Sequence, residues 1–157
     1  FMTEKAIKDL GDKVSDDDKK EAEELMDKVR KAIENHPSNV ILPGYVKGAI
    51  IEGAYMSANC FFFASYEETE GIVVLEALAS SQNVLVRDID VYNPWLIDQV
   101  NCFKGKNNNE FIYYLDLILK NKGLDIRNKG RETAKQRSIQ NIGIQLKKYY
   151  ESVLNEN

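Results

Sequence analysis

The chain is 157 residues long, 43% hydrophobic and 29% charged, which suits one folded domain with its own core. Its formal charge of -4 excludes a general nucleic-acid binder, which needs a basic face. Two cysteines and one histidine exclude a Cys/His zinc site and a Cys–His catalytic pair, and no apolar run reaches the length of a membrane span. With no signal peptide visible, the chain reads as a cytoplasmic-type soluble protein, and surface association with lipid stays open.

No Phe, Tyr or Trp occurs between Phe1 and Tyr45, and that stretch is dense in Lys, Asp and Glu. Within it, "TEKAIKDLG" predicts a short helix closed by Gly11. The next stretch, "SDDDKKEAEELMDKVRKAIENHP", predicts one strong helix, with Ser15 as N-cap, Asp16 to Asp18 at its positive start and Pro37 as its stop. Ala22, Leu25, Met26, Val29, Ala32 and Ile33 recur at helical spacing and form one apolar stripe.

From Asn39 the texture alternates between strand and helix. "NVIL" predicts a short buried strand, "AIIEGAYMSA" a helix and "CFFFAS" a second strand. A loop with Glu67, Glu68 and Thr69 leads into the helix "GIVVLEALAS". "NVLVRD" predicts a third strand and "NCFKG" a fourth. "NNEFIYYLDLILKN" predicts a helix with Phe111, Ile112, Leu115 and Leu119 on one face. The tail from Arg131 to Leu154 reads as helical, with Ile139, Ile142, Leu146, Tyr149 and Val153 in register. Helices separating short apolar strands predict an α/β fold with a parallel sheet covered on both faces. Ligands on such sheets bind beyond the carboxyl ends of the strands.

"SYEETEGIVVLE" stands at such an end. Gly71 lets the backbone approach a ligand closely, and the first amides of the following helix form a site suited to phosphate. Glu68, in the loop, offers an acceptor for sugar hydroxyls, and Glu76, about two turns inside the helix, reaches the same cleft. Two acceptors flanking an anion site suit a molecule with hydroxyls at both ends and phosphates between, the form of a nucleotide-sugar. On spacing alone, a solvated glutamate on an amphipathic helix explains Glu76 better. The surrounding sequence is far more specific.

"SYEETEGIVVLEALAS", a strand end followed by Glu, seven residues and Glu, resembles the donor-site signature of retaining GT-B glycosyltransferases, glycosyltransferase family four. The resemblance takes in "NVILPGYV" before it and "NVLVRDIDVYNPWLIDQVNCFKGKNNNEFIYYL" after it, roughly residues 29–154. "EETEGIVVLEALAS", "VRDIDVY" and "WL" are most similar to bacterial glucosyltransferases that place glucose on diacylglycerol for glycolipid and lipoteichoic-acid anchors. Ala64 stands where many relatives have proline, and Ser81 where many have glycine.

The resemblance implies a partial Rossmann-like fold, the C-terminal half of a GT-B enzyme, over residues 29–157. It implies that Glu68, with Glu70, Gly71 and Ile72, holds the transferred sugar. Glu76 would bind the ribose of UDP, and the amides around Gly71, Ile72 and Val73 would meet the diphosphate. Gly44, Tyr45 and Val46 would lie against the uracil. The implied partners are UDP-glucose as donor, without a metal or other cofactor, and a lipid acceptor reached at the inner face of a bacterial membrane. The family's acceptor domain, its catalytic histidine or acid and its basic Arg/Lys pair have no counterpart before Val40, so no catalytic residue is assigned and little turnover by this chain alone is expected. The strand from Asn39 would then lose its usual neighbours. The sheet closes up, another copy supplies strands through an unpaired edge, or the N-terminal helices cover the gap.

Residues 1–28 carry a second resemblance. "EKAIKDLGDKVSDDDKKEAEE" is similar to the helical lid of seventy-kilodalton heat-shock chaperones, which implies a fused or engineered chain or a non-catalytic helical assembly module. "DID" at Asp88 to Asp90 matches a metal–nucleotide motif of another glycosyltransferase fold, but a loop role suits it better here. Trp95 with Tyr92 and Pro94 reads as a packed corner, with membrane contact as its alternative.

Overall fold

The computed structural model of the chain describes residues 15–123 and 125–155. The chain divides into two units, Phe1–Val46 and Lys47–Asn157. The helix predicted over "TEKAIKDLG" lies outside the described residues.

In the first unit, α1 (Asp16–Glu34) begins as its sequence dictates: the Ser15 hydroxyl accepts the Asp18 amide at 3.1 Å, and three aspartates follow in the first turn. It ends at Glu34, where the Asn35 side-chain amide donates to the Lys31 carbonyl at 2.7 Å, ahead of Pro37. Its apolar stripe is not buried: Leu25, Val29 and Ile33 are each more than half exposed.

The strand predicted over Asn39 to Leu42 does not form. Asn39 lies in a turn closed by the Val40 amide on the Pro37 carbonyl at 2.9 Å, and residues 40–43 enter no ladder. A short apolar run shows that a segment is fit to be a strand, but only a hydrogen-bonded neighbour makes it one.

The second unit runs α2 (Ala49–Ser57), β1 (Phe61–Phe63), α3 (Ile72–Ala79), β2 (Val84–Arg87), a 3-10 turn (Asp90–Tyr92), β3 (Phe103–Gly105), α4 (Asn108–Leu119), α5 (Arg127–Gln136) and α6 (Ile139–Asn155). The sheet is parallel in the order β1-β2-β3, with Leu85 aligned to both Phe62 and Phe103. The alternation of β2 decides its two faces. Val84 and Val86 pack with Val74, Ala77 and Leu78 of α3 and with Tyr92, Trp95 and Leu96. Leu85 turns to the other face and joins Phe103, Ile126, and Phe111, Tyr114 and Ile118 of α4. The predicted α/β class with a sheet covered on both faces is what the molecule adopts.

One helix reading is corrected. On α4 the buried face is Phe111, Tyr114 and Ile118, while Ile112 and Leu119 are exposed. Tyr114 displaced the aliphatic residues because its hydroxyl finds partners: it donates to Asp98 Oδ2 at 2.9 Å and accepts from Gln99. The tail is helical as read, and it is built of two helices. α5 closes at Arg137, and Ser138 restarts the chain, its hydroxyl accepting the Asn141 amide at 3.4 Å and its carbonyl the Ile142 amide at 2.9 Å.

Candidate functional site

β1 ends at Phe63, and the chain then crosses a loop before re-entering a helix at Ile72. Arg87, at the carboxyl end of β2, fixes the first half of that loop. Its Nε donates to the Ala64 carbonyl at 3.0 Å, and its guanidinium lies 3.8 Å from the centre of the Tyr66 ring. Another nitrogen of the same group donates to the Lys106 carbonyl after β3 at 3.3 Å, so one cation ties the loops after β1 and β3 together. The Ser65 hydroxyl donates to the Glu67 carbonyl at 2.7 Å and tightens the turn.

Gly71 fixes the second half. It is buried and left-handed, with φ 75° and ψ 48°, and serves as N-cap of α3 without a side-chain cap. A Cβ at this position would meet Tyr92 Cε1 at 2.8 Å and its hydroxyl oxygen at 3.1 Å, so the Tyr92 ring is the floor of the turn. The Gly71 carbonyl accepts from Val74 and Leu75. The amides of Ile72 and Val73 have no acceptor among the described residues, as expected of the opening of a helix. Together with the helix dipole they favour an anion.

Two carboxylates flank those amides in sequence. Glu68 is half-buried in the loop. Burial first, and then the nearby Glu68 charge, push the Tyr92 hydroxyl up to about 12. Tyr92 is fully buried, and its hydroxyl has no hydrogen-bond partner among the described residues. Glu76 is exposed on α3, where its Oε2 accepts the Tyr55 hydroxyl of α2 at 3.1 Å; no Lys or Arg pairs with it among the described residues. Glu70 is exposed in the loop.

An open groove of about 490 Å³ lies at the same end of the sheet, lined by Tyr66, Arg87, Lys106 and Asn107 to Asn109. Every lining residue follows the carboxyl end of a strand or closes it, where open parallel sheets take their ligands. A second concavity, about 290 Å³, includes Asn83 and Phe103 at the amino-terminal end of the sheet, away from the loop.

The structure thus places Glu68, Glu70, Gly71, Ile72, Val73 and Glu76 on one continuous loop and helix start. Gly44, Tyr45 and Val46 belong to the first unit: Gly44 takes φ 71°, Tyr45 is exposed and Val46 is half-buried. Sequence reasoning missed Tyr55 and Arg87, and read Tyr92 as packing without its place beneath Gly71. Each acts across the fold, at separations of 21 residues for Tyr55–Glu76 and 23 for Arg87–Ala64, which no local spacing encodes.

Asp88 is a partner for lysines: Nζ of Lys104, a side chain only 8% exposed, lies 2.7 Å from it and Lys106 Nζ 3.8 Å. The Asp90 carboxylate accepts from Asn93. Among the described residues no group of three or more His, Cys, Asp or Glu side chains is placed to hold a metal ion. Trp95 is a packed corner, 7% exposed, edge-on to Tyr92 at 5.7 Å with the Arg137 guanidinium 4.9 Å from its ring.

Comparison with known proteins gives this loop a context. Residues 11–137 match the family model described as glycosyl transferases group 1, a span that takes in α1 as well as the sheet. The chain is 48% identical over 126 residues to the processive diacylglycerol alpha-glucosyltransferase of Acholeplasma laidlawii, covering 80% of this chain and 38% of that protein. It is 36% identical over 78 residues to the alpha-monoglucosyldiacylglycerol synthase of the same organism, covering 50% of this chain and 20% of that protein. It is 31% identical over 74 residues to the alpha-galactosylglucosyldiacylglycerol synthase of Streptococcus pneumoniae, covering 47% of this chain and 20% of that protein. The chain spans less than half the length of each of these relatives.

Proposed function

The chain belongs to the glycosyl transferases group 1 family, and on that premise we propose that it binds the nucleotide-sugar donor of an enzyme transferring glucose from UDP-glucose to a diacylglycerol lipid, with retention at the sugar carbon. The observation that carries this reading is the Gly71 turn: two helix-opening amides without acceptors, with one carboxylate on each side in sequence. The relatives' names, all diacylglycerol glycolipid enzymes, support the acceptor class.

In this reading the Ile72 and Val73 amides take the diphosphate, where the helix dipole and unpaired N–H groups offset its charge. Glu68, with Glu70, Gly71 and Ile72, receives the hydroxyls of the sugar, and Glu76 those of the ribose. The amides offset diphosphate charge that a metal would otherwise balance, so binding needs no divalent ion. Donor binding is the step this chain's own residues account for. Contact with lipid is peripheral, at the inner face of the membrane; no helix among the described residues is long and apolar enough to cross one. The basic α5, with Arg127, Lys129, Arg131 and Lys135, is suited to anionic headgroups.

Titration calorimetry with UDP and UDP-glucose tests the reading. UDP is expected to bind equally with and without EDTA. Glu68→Gln is expected to weaken UDP-glucose while sparing UDP, because its partner is the sugar. A chain that ignores UDP, or that needs a divalent ion to bind it, overturns the assignment.

A further inference from the structure

Glu76 is an exposed carboxylate on a helix, and such a side chain ordinarily samples many rotamers in water. Here it is held. Tyr55 reaches it from α2, and Tyr55 is itself fixed on two sides. Its ring packs against Phe61 of β1 with centroids 5.6 Å apart, and its carbonyl accepts the side-chain amide of the buried Gln82. The hydroxyl is therefore a donor in a set position, and it donates to Glu76 Oε2 at 3.1 Å. A carboxylate has two oxygens and several lone pairs, so Oε1 keeps its full acceptor capacity. No other hydrogen bond to the Glu76 carboxylate occurs among the described residues.

We propose that Tyr55 is a positioning residue for donor recognition: its hydroxyl holds Oε2 of Glu76 so that Oε1 faces the vicinal hydroxyls of the ribose in a uridine diphosphate donor. The inference rests on the reading of Glu76 as the ribose ligand. It adds that the ligand is pre-oriented by a second element, α2, which shares no motif with the α3 loop. Burial, then the bond to Glu76, push the Tyr55 hydroxyl up to about 12, so it remains a donor throughout the physiological range. Pre-orientation favours binding because the rotamer entropy of Glu76 is spent on folding and not on capture of the nucleotide.

The test uses this chain in calorimetry with UDP and with 2′,3′-dideoxy-UDP, for the parent, Tyr55→Phe, Glu76→Gln and the double variant. Tyr55→Phe removes one oxygen and keeps the ring against Phe61, and thermal unfolding of each variant confirms the fold. Tyr55→Phe is expected to weaken UDP by roughly two- to tenfold, because Glu76 must then be immobilised when the nucleotide binds. The dideoxy nucleotide, lacking the hydroxyls, should bind parent and Tyr55→Phe alike. The double variant should bind UDP no more weakly than Glu76→Gln, because Tyr55 acts through Glu76. If Glu76→Gln weakens UDP while Tyr55→Phe does not, the positioning role is overturned and the ribose reading stands. Equal losses for UDP and dideoxy-UDP in Tyr55→Phe mark a merely structural residue and also overturn it. If Glu76→Gln leaves UDP affinity unchanged, or the parent binds no UDP, the ribose reading falls and this inference with it.

Discussion

At the scale of single residues, Gly71 and Tyr92 form one device. The turn needs a left-handed residue at Gly71, and the Tyr92 ring leaves no room for a Cβ there, so two independent constraints select glycine. Gly71→Ala is expected to cost about 1–3 kcal/mol, combining backbone strain with overpacking against the ring. A lower urea midpoint with an unchanged m-value would show it, and an unaltered midpoint would contradict it. Tyr92→Phe should behave oppositely. Its hydroxyl is buried without a partner among the described residues, so removing it sacrifices no hydrogen bond there, and stability should hold or rise slightly. A loss above about 1 kcal/mol in denaturant unfolding would mean the hydroxyl has a partner after all.

At the scale of elements, the sheet reaches the site through its connections. β1 delivers the loop, β2 supplies Arg87 to anchor it, and α2 supplies Tyr55 from behind. α3 packs closely on α5, and Gly130 permits it: a Cβ there would meet Leu78 Cδ2 at 2.7 Å and the Asn101 carbonyl oxygen at 3.0 Å. Gly130→Ala sets two effects against each other. Alanine improves helix propensity by about 1 kcal/mol. Overpacking costs about 1–3 kcal/mol, and although the Leu78 methyl can move, the Asn101 backbone is held by its own side-chain bonds to Trp95 and Thr133. The clash is expected to win, and a rise in melting temperature would show that the helices separate without cost.

At the scale of the whole molecule, the titrating groups with raised values point to an alkaline limit. Burial pushes Cys60 from 9.0 to about 11 and Cys102 from 9.0 to about 12. Burial, then the bond to Asp98, push Tyr114 from 10.0 to about 12, and burial raises Tyr55 and Tyr92 to about 12 as well. Each group binds its proton more tightly folded than unfolded. Its contribution is complete below the unfolded value and is lost as pH climbs through the folded one. Stability in urea should therefore fall as pH rises from 9 toward 12, and a flat profile across that window would contradict the burial of these groups. In the same terms Cys102 should resist a thiol reagent in the folded chain and react on unfolding.

Local pattern alone determined the α/β class, α1 with its Ser15 cap, the three strands that pair, and the loop and helix start from Glu68 to Glu76. Each depends on periodicity, caps and turn residues, which act over a few positions and leave their trace in the chain. Tertiary structure decided the rest. "NVIL" has the composition of a strand but no ladder, because pairing depends on a neighbour that its own residues do not specify. α4 turned Tyr114 inward because Asp98 and Gln99 satisfy its hydroxyl, a fact outside the helix. Tyr55, Arg87 and Tyr92 became parts of the site only when folding carried them over 20 or so residues to Glu76, Ala64 and Gly71. The sequence places Glu68, Gly71 and Glu76 on one short stretch, but their orientation depends on contacts made across the fold.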